Sequence, residues 1–310
     1  MKVISSKLPS KKRKTIATIG TFDGIHLGHQ FILKKVKNEA AKKGLNSLVI
    51  TFDSSVKKSP GLLTDFKQKI SLMSNLGLDY LWVLKMNKTF SKLSADDFIR
   101  YISGHFLIEK LIVGDDFRFG YRRQADIRSL KSLSVKYNFK LSIVKKKTKD
   151  RKIISSSLIR GLIKKGKLKE AEKLLGRKFS FRGKVVKGKG LGRRINFPTA
   201  NIFPSDYILP PQGIYAAAAV FKTRVFLAAV NIGLRPTVSS GAKKILEAHI
   251  IKFNKNILGK FITIVFLGKI REEKKFDSLQ QLKLAIEKDI KVVTAKYSTL
   301  PSKHPQLLVV

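Results

Sequence analysis

The 310 residues carry 64 Lys plus Arg against 21 Asp plus Glu, a formal net charge of +43, and no cysteine. That length suits two domains and buries an ample core, and the absence of cysteine excludes disulfides and thiolate chemistry. The opening MKVISSKLPSKKRKT has no apolar stretch long enough for a signal peptide and no later run approaches a membrane span, so a cytoplasmic protein with no membrane partner is expected.

A positive excess of this size favours polyanions. The acids nevertheless divide 12 to 9 between residues 1–150 and 151–310, and lysines are scattered through every segment. Solvated lysine-rich faces account for that pattern, and no specific nucleic-acid partner is expected. A basic nucleic-acid-binding protein is the competing reading from another functional class.

In chain order, TIATI at Thr15–Ile19 is strand-like and runs through a turn marked by Gly20 and Gly24 into a helix starting near Gly28. Ser47–Phe52 has the apolar content of a buried parallel strand. A helix follows over Leu63–Gly77, capped near Thr64 or Asp65, and then strand DYLWVLKM, helix SADDFIRYISG and strand KLIVGDDF. Helix DIRSLKSLSVKYN and strand FKLSIVKK complete the alternation. Such alternation implies a parallel sheet with helices on both faces, whose ligands bind beyond the carboxyl ends of the strands.

Four stretches fall at those ends, one of them TFDSSVKKSP, Thr51 to Pro60, after the second strand. IGTFDGIHLGHQ delivers His26, Gly28 and His29 to a helix start, where unpaired N–H groups suit an anion and imidazoles can donate to a phosphate. GDDFRFGYRRQAD places carboxylates, aromatics and Arg118, Arg122 and Arg123 in one loop, which suits stacking on a ring system and contact with phosphate; a solvated charged loop with two docked phenylalanines is the alternative. ISSSLIR, Ile154 to Arg160, is by itself an ordinary helix cap, and paired with the histidine loop it forms the second jaw of a triphosphate clamp.

The texture changes after the helical KEAEKLLGR. FSFRGKVVKGKGLGRRINFPTANI, GIYAAAAVF, RVFLAAVNIG, KILEAHII and KFITIVFLGKI are short β runs without helices between them, as in an antiparallel barrel. SLQQLKLAIEKDIKVVTAKY reads as one long amphipathic helix covering it. No βαβ unit surrounds Gly188, Gly190 and Gly192, so they form a flap with Lys187, Lys189, Arg193 and Arg194 rather than a dinucleotide fingerprint. In FPTAN, Thr199 and Asn201 share one side of an extended chain and can hold a magnesium ion and a phosphate; polar residues facing outward from a strand are the alternative.

With these motifs in order and in spacing, the first half resembles the adenylyltransferase module of bacterial bifunctional riboflavin kinase/FMN adenylyltransferases, the prokaryotic FAD synthetases, which belong to the Rossmann-like HxGH nucleotidyltransferases. FPTANI, PPQGIYAAAA, VNIGLRPT, LEAHI and GKIREEKKFDSLQQL resemble the riboflavin kinase domain of the same proteins. The resemblance implies an α/β plus β protein: a Rossmann-like adenylyltransferase domain over 1–178, an antiparallel β-barrel kinase domain with a C-terminal helix over 179–300, and a tail over 301–310. It implies ATP, riboflavin and FMN as substrates, FMN and FAD as products, Mg2+ as cofactor, and leaves oligomeric assembly open.

Carried onto this chain, the resemblance implies that Gly20, Phe22, Asp23, Gly24, His26, Gly28, His29, Ser155, Ser156, Ser157 and Arg160 bind ATP, with His26 and His29 catalytic. Asp116, Phe117, Arg118, Phe119 and Arg122 would serve the flavin and its phosphate. In the kinase domain, Gly188, Gly190, Gly192, Arg193, Pro198, Thr199, Asn201, Asn231 and Arg271 would bind ATP or flavin, Thr199 and Asn201 the metal, and Glu247 would be the base toward the ribityl hydroxyl. The chain departs from the family at Ser54, Ser55 and Val56, which replace Pro-His-Pro, at Ala125, and at Asn196, where the family has glycine. The first departure motivates a second reading within the enzyme class, a riboflavin kinase whose adenylyltransferase module is weak or inactive.

Overall fold

The computed structural model describes residues 1–4, 13–53, 61–150, 152–188, 190–204, 206–235 and 243–300. Ser54, Ser55 and Val56, Lys189 and the 301–310 tail lie outside the described residues. The chain divides into two compact units, residues 1–58 with 66–155 and residues 59–65 with 156–310.

The first unit contains β1 (Lys2–Ile4), β2 (Lys14–Ile19), α1 (Leu27–Lys42), β3 (Asn46–Phe52), α2 (Phe66–Asn75), β4 (Tyr80–Leu84), α3 (Ala95–His105), β5 (Leu107–Gly114), α4 (Ile127–Lys136), β6 (Lys140–Val144) and a hairpin of β7 (Thr148–Lys149) with β8 (Lys152–Ile153). Its six-stranded sheet has the order β1-β4-β3-β2-β5-β6, and every pairing is parallel. Strand β1, KVI, was not visible as a strand in the sequence because three residues are too few to show a period.

Alternation along the strands feeds both faces of the sheet. Ala17, Ile19, Leu48, Ile50, Trp82, Leu84, Leu111 and Val113 pack with Phe98, Ile99 and Ile102 of α3 and Leu130 of α4. The intervening Ile16, Val49, Leu81, Val83 and Ile112 pack with Leu33, Val36 and Ala40 of α1 and Leu72 and Met73 of α2. From β2 the chain builds outward through β3 to β4, then crosses to the other side of β2 for β5 and β6. That reversal is a topological switch point at the carboxyl ends of β2 and β5, where α/β sheets bind ligands.

The amino end of the sheet is tied differently. Asp79 Oδ2 accepts from the Ser47 N–H at 2.9 Å and from Ser47 Oγ at 2.6 Å, and the Asp79 N–H donates back to Ser47 Oγ at 2.9 Å. Burial works against the Asp79 carboxylate, but the Ser47 bonds and Lys37 outweigh it and hold its pKa below the ordinary aspartate value.

The second unit opens with α5 (Ser156–Lys164) and α6 (Leu168–Leu175), which ends at Gly176 in a left-handed cap. Next come β9 (Ser180–Val186), α7 (Leu191–Arg194), β10 (Ala200–Phe203), β11 (Gly213–Phe221), β12 (Arg224–Arg235), β13 (Lys243–Ile250), β14 (Phe261–Arg271) and α8 (Leu279–Tyr297). The strands close a barrel in the order β10-β13-β12-β11-β14-β9, antiparallel throughout. In the run of alanines, Ala216 and Ala218 face outward with Val225, Ala229, Val265 and Leu267 against Val293 and Tyr297 of α8. Small side chains there let the helix lie close to the sheet. At one end of the contact, Arg271 of β14 grips Asp289 of α8 with two bonds, Nε to Oδ1 at 2.8 Å and a terminal nitrogen to Oδ2 at 2.7 Å.

Candidate active sites

In the first unit the turn after β2 is tight and strained. Phe22 has φ +48°, Gly24 +83° and Ile25 +36°, although only glycine adopts such values without cost. It delivers His26 as the N-cap of α1, whose Nδ1 accepts from the His29 N–H at 3.3 Å. An imidazole accepting at Nδ1 carries its proton on Nε2, where it is a donor. The His26 and His29 rings stack with centroids 3.7 Å apart, and Phe22 meets His29 edge-on at 5.3 Å. Gly28 leaves room for this stack, because a Cβ there would lie 3.2 Å from His26 Nδ1 and Cε1, a tight contact that the ring would have to yield to. The same Cβ would be 3.8 Å from Ile154 O, so the start of ISSSLIR runs beside the helix start. Ser155 belongs to this unit, whereas Ser156, Ser157 and Arg160 open α5 of the second, where Arg160 Nε donates to Gly61 O at 2.8 Å.

The GDDFRFG loop closes on itself through reciprocal Phe119–Ala125 backbone bonds of 3.1 Å. Phe119 is buried against Phe98, with Phe117 stacked on it at 5.3 Å. Phe119 thus serves packing, while Arg118 and Arg122 remain exposed. Ala125 has no positive φ, so the family glycine is not required there. Asp116 pairs with Lys146 at 3.1 Å, a lysine beyond β6 that the sequence reading did not single out.

In the barrel, register brings together residues far apart in the chain. Glu247 of β13 lies directly opposite Asn201 of β10 on one side and Asn231 of β12 on the other. The carboxylate is therefore flanked by two amides in one row across three strands. Asn201 is held against the glycine stretch, since a Cβ on Gly188 would fall 2.0 Å from its Nδ2. A Cβ on Gly192 would fall 2.2 Å from Phe197 O, so FPTAN and the glycines require one another. Part of the stretch read as a flap is the helical turn α7, with Gly190 at its N-cap and Arg193 exposed. Asn196 takes φ +63°, a left-handed value that asparagine tolerates in place of glycine.

His249, on the same face of β13 as Glu247, bonds Pro198 O through Nδ1 at 3.0 Å and meets Phe197 edge-on at 5.3 Å, holding the loop that carries Thr199. Asn231 Nδ2 donates to Glu273 Oε1 at 3.3 Å. Arg271, expected beside flavin and nucleotide, is engaged with Asp289.

Family models match the two halves in turn: FAD synthetase over residues 8–158 and riboflavin kinase over 175–297. The chain belongs to the bifunctional riboflavin kinase/FMN adenylyltransferase family. The relative from Haemophilus influenzae is 36% identical over 290 residues, covering 91% of this chain and 94% of the relative. The Escherichia coli relative is 35% identical over 282 residues, covering 88% and 90%. Both are described as bifunctional riboflavin kinase/FMN adenylyltransferase. A crystal structure from Streptococcus pneumoniae, described as a macrolide-efflux protein, superposes with a TM-score of 0.81 at 28% identity and covers 94% of this chain and 98% of that one. Among the described residues of this chain, no helix is long and apolar enough to cross a membrane.

Proposed function

We propose that the chain phosphorylates riboflavin to FMN with ATP and then adenylylates FMN to FAD, releasing pyrophosphate, with the first step in the barrel and the second in the Rossmann-like domain. The row Asn201–Glu247–Asn231 carries the kinase reading. Glu247 takes the proton of the ribityl 5′-hydroxyl as its oxygen attacks the γ-phosphorus, and ADP leaves. Thr199 and Asn201 offer neutral oxygens, a donor set that suits Mg2+ arriving on ATP phosphates and keeping several waters. When bound, the ion offsets charge on the triphosphate.

In the other step a phosphate oxygen of FMN attacks the α-phosphorus of ATP and pyrophosphate departs. The Nε2–H of His26, together with His29, donates to phosphate oxygens whose charge grows in the transition state. Ser155, Ser156, Ser157 and Arg160 keep the triphosphate role that their motif implies, and Arg118 and Arg122 the flavin-phosphate role. A kinase with an idle adenylyltransferase module is not favoured, because the FAD synthetase match spans residues 8–158 and relatives described as bifunctional match about nine-tenths of the chain. The domain boundary near residue 178 and a cytoplasmic location belong to the same proposal.

Incubation of the purified protein with riboflavin, ATP and Mg2+, with flavins resolved by chromatography, should give FMN and then FAD. FMN without FAD, even at high FMN, refutes the bifunctional reading. Glu247→Gln should slow FMN formation by about 10²–10⁴-fold, and undiminished FMN formation removes Glu247 from the base role.

A further inference from the structure

On α2 the buried residues are Gln68, Lys69, Leu72 and Met73, so a lysine occupies a core position of the helix. It is 2% exposed, among the largest fully buried side chains of the chain. Nζ donates to Thr21 O at 2.7 Å, and Asp23 and Asp53 lie within electrostatic reach. Burial dominates its ionisation and draws its pKa below the ordinary lysine value, with the two carboxylates opposing that shift. Burying an ammonium is costly, and an apolar side chain of similar volume generally serves stability as well or better. The position therefore calls for a use other than packing.

That use lies in the turn. Three of its residues, Phe22, Gly24 and Ile25, have positive φ, and Ile25 is β-branched. Such strain persists only where the surroundings over-determine it. Side chains on neighbouring elements supply restraint: Lys69 on Thr21 O, with Thr51 Oγ1 donating to the same oxygen at a longer 3.5 Å, and Gln30 of α1, whose Nε2 donates to Ile25 O at 2.9 Å. In a planar trans peptide the C=O and the following N–H point in opposite directions. Holding the Thr21 and Ile25 carbonyls toward Lys69 and Gln30 thus aims the Phe22 and His26 N–H groups the opposite way.

We propose that Lys69 and Gln30 are positioning residues of the adenylyl-transfer site, orienting the 21–22 and 25–26 peptide groups so that their N–H groups meet a phosphate of ATP. The inference rests on the reading of the His26–His29 turn as the ATP site. The test is the full chain carrying Lys69→Met or Gln30→Met, assayed for FAD formation with ATP varied at saturating FMN. Each variant should raise KM for ATP and lower kcat/KM by about 10–100-fold, with KM for FMN unchanged. The riboflavin kinase step of the same molecules should keep its own KM for ATP. Buried Trp82, the chain's single tryptophan, reports whether the first unit is folded.

A purely structural role predicts fewer active molecules, hence lower kcat at unchanged KM with red-shifted Trp82 emission, and that outcome overturns the proposal. Wild-type kcat and KM within twofold in both variants overturn it as well. If Lys69→Met does not fold, Gln30→Met, at a half-buried helix position, decides the matter. His29→Ala separates the two levels. Loss of FAD formation in His29→Ala beside wild-type kinetics in Lys69→Met and Gln30→Met sinks the positioning role alone, whereas wild-type ATP kinetics in all three sinks the ATP-site reading itself.

Discussion

Replacing Asp289 by Asn tests how α8 is held to the barrel. Asp289 is 5% exposed and accepts both bonds of the Arg271 fork, so Asn removes the charge and one of two acceptors. Deleting one partner of a fully buried pair costs about 3–5 kcal/mol. The Arg271 side chain is 29% exposed, and water recovers part of that loss, which brings the expected cost to about 2 kcal/mol. At 1.4 kcal/mol per factor of ten, that is about 30-fold in the opening equilibrium of the helix. Hydrogen exchange followed by mass spectrometry should therefore accelerate about 30-fold in peptides from Leu279–Tyr297, with those from Asn46–Phe52 unchanged. Acceleration below threefold refutes the assignment of the fork as the pin of α8. Equal acceleration in both regions refutes its being local.

Gly188→Ala drives a methyl group into the Asn201 amide, the flexible end of a side chain, so kinase kcat/KM should fall at least tenfold with little loss of stability; thermal melting and an FMN assay together check this. Gly192→Ala meets the Phe197 carbonyl instead, a backbone group that cannot swing away, and should lower both kinase activity and the melting temperature. Asp79 predicts a pH dependence. Its folded pKa is depressed, so its stabilisation is fully present above the unfolded aspartate value near about 3.9 and is lost as pH falls through the lower folded value. Asp79→Asn should destabilise the first unit at pH 7 and narrow its difference from wild type in acid, read as urea midpoints of Trp82 fluorescence.

Much of this was legible in one dimension because it depends on local patterns. The alternation of short apolar runs with amphipathic stretches sufficed for the parallel sheet, and the succession of β runs after residue 179 for the barrel. Glycines 20, 24 and 28 around two histidines sufficed for a tight turn into a helix start, since turn chemistry, helix capping and close approach all act over a few residues. Even Asn196 in place of glycine was interpretable, as its left-handed backbone is a property of the residue itself.

What tertiary structure alone decided depends on register and burial. Nothing in the spacing of Asn201, Asn231 and Glu247 states that they are cross-strand neighbours; barrel closure aligns them. That Arg271 grips Asp289 was not legible, because the two are 18 residues apart on different elements. Phe119 could be read from the sequence either as a face for ring stacking or as docked on the core, and only packing shows it buried. Lys69 was one lysine among many, indistinguishable from solvated ones until folding buried it against the Thr21 carbonyl. Local sequence determined which elements form and which residue types reach the strand ends. Long-range packing decided which charges are buried and what they face, because desolvation and cross-strand contact arise only when distant segments meet.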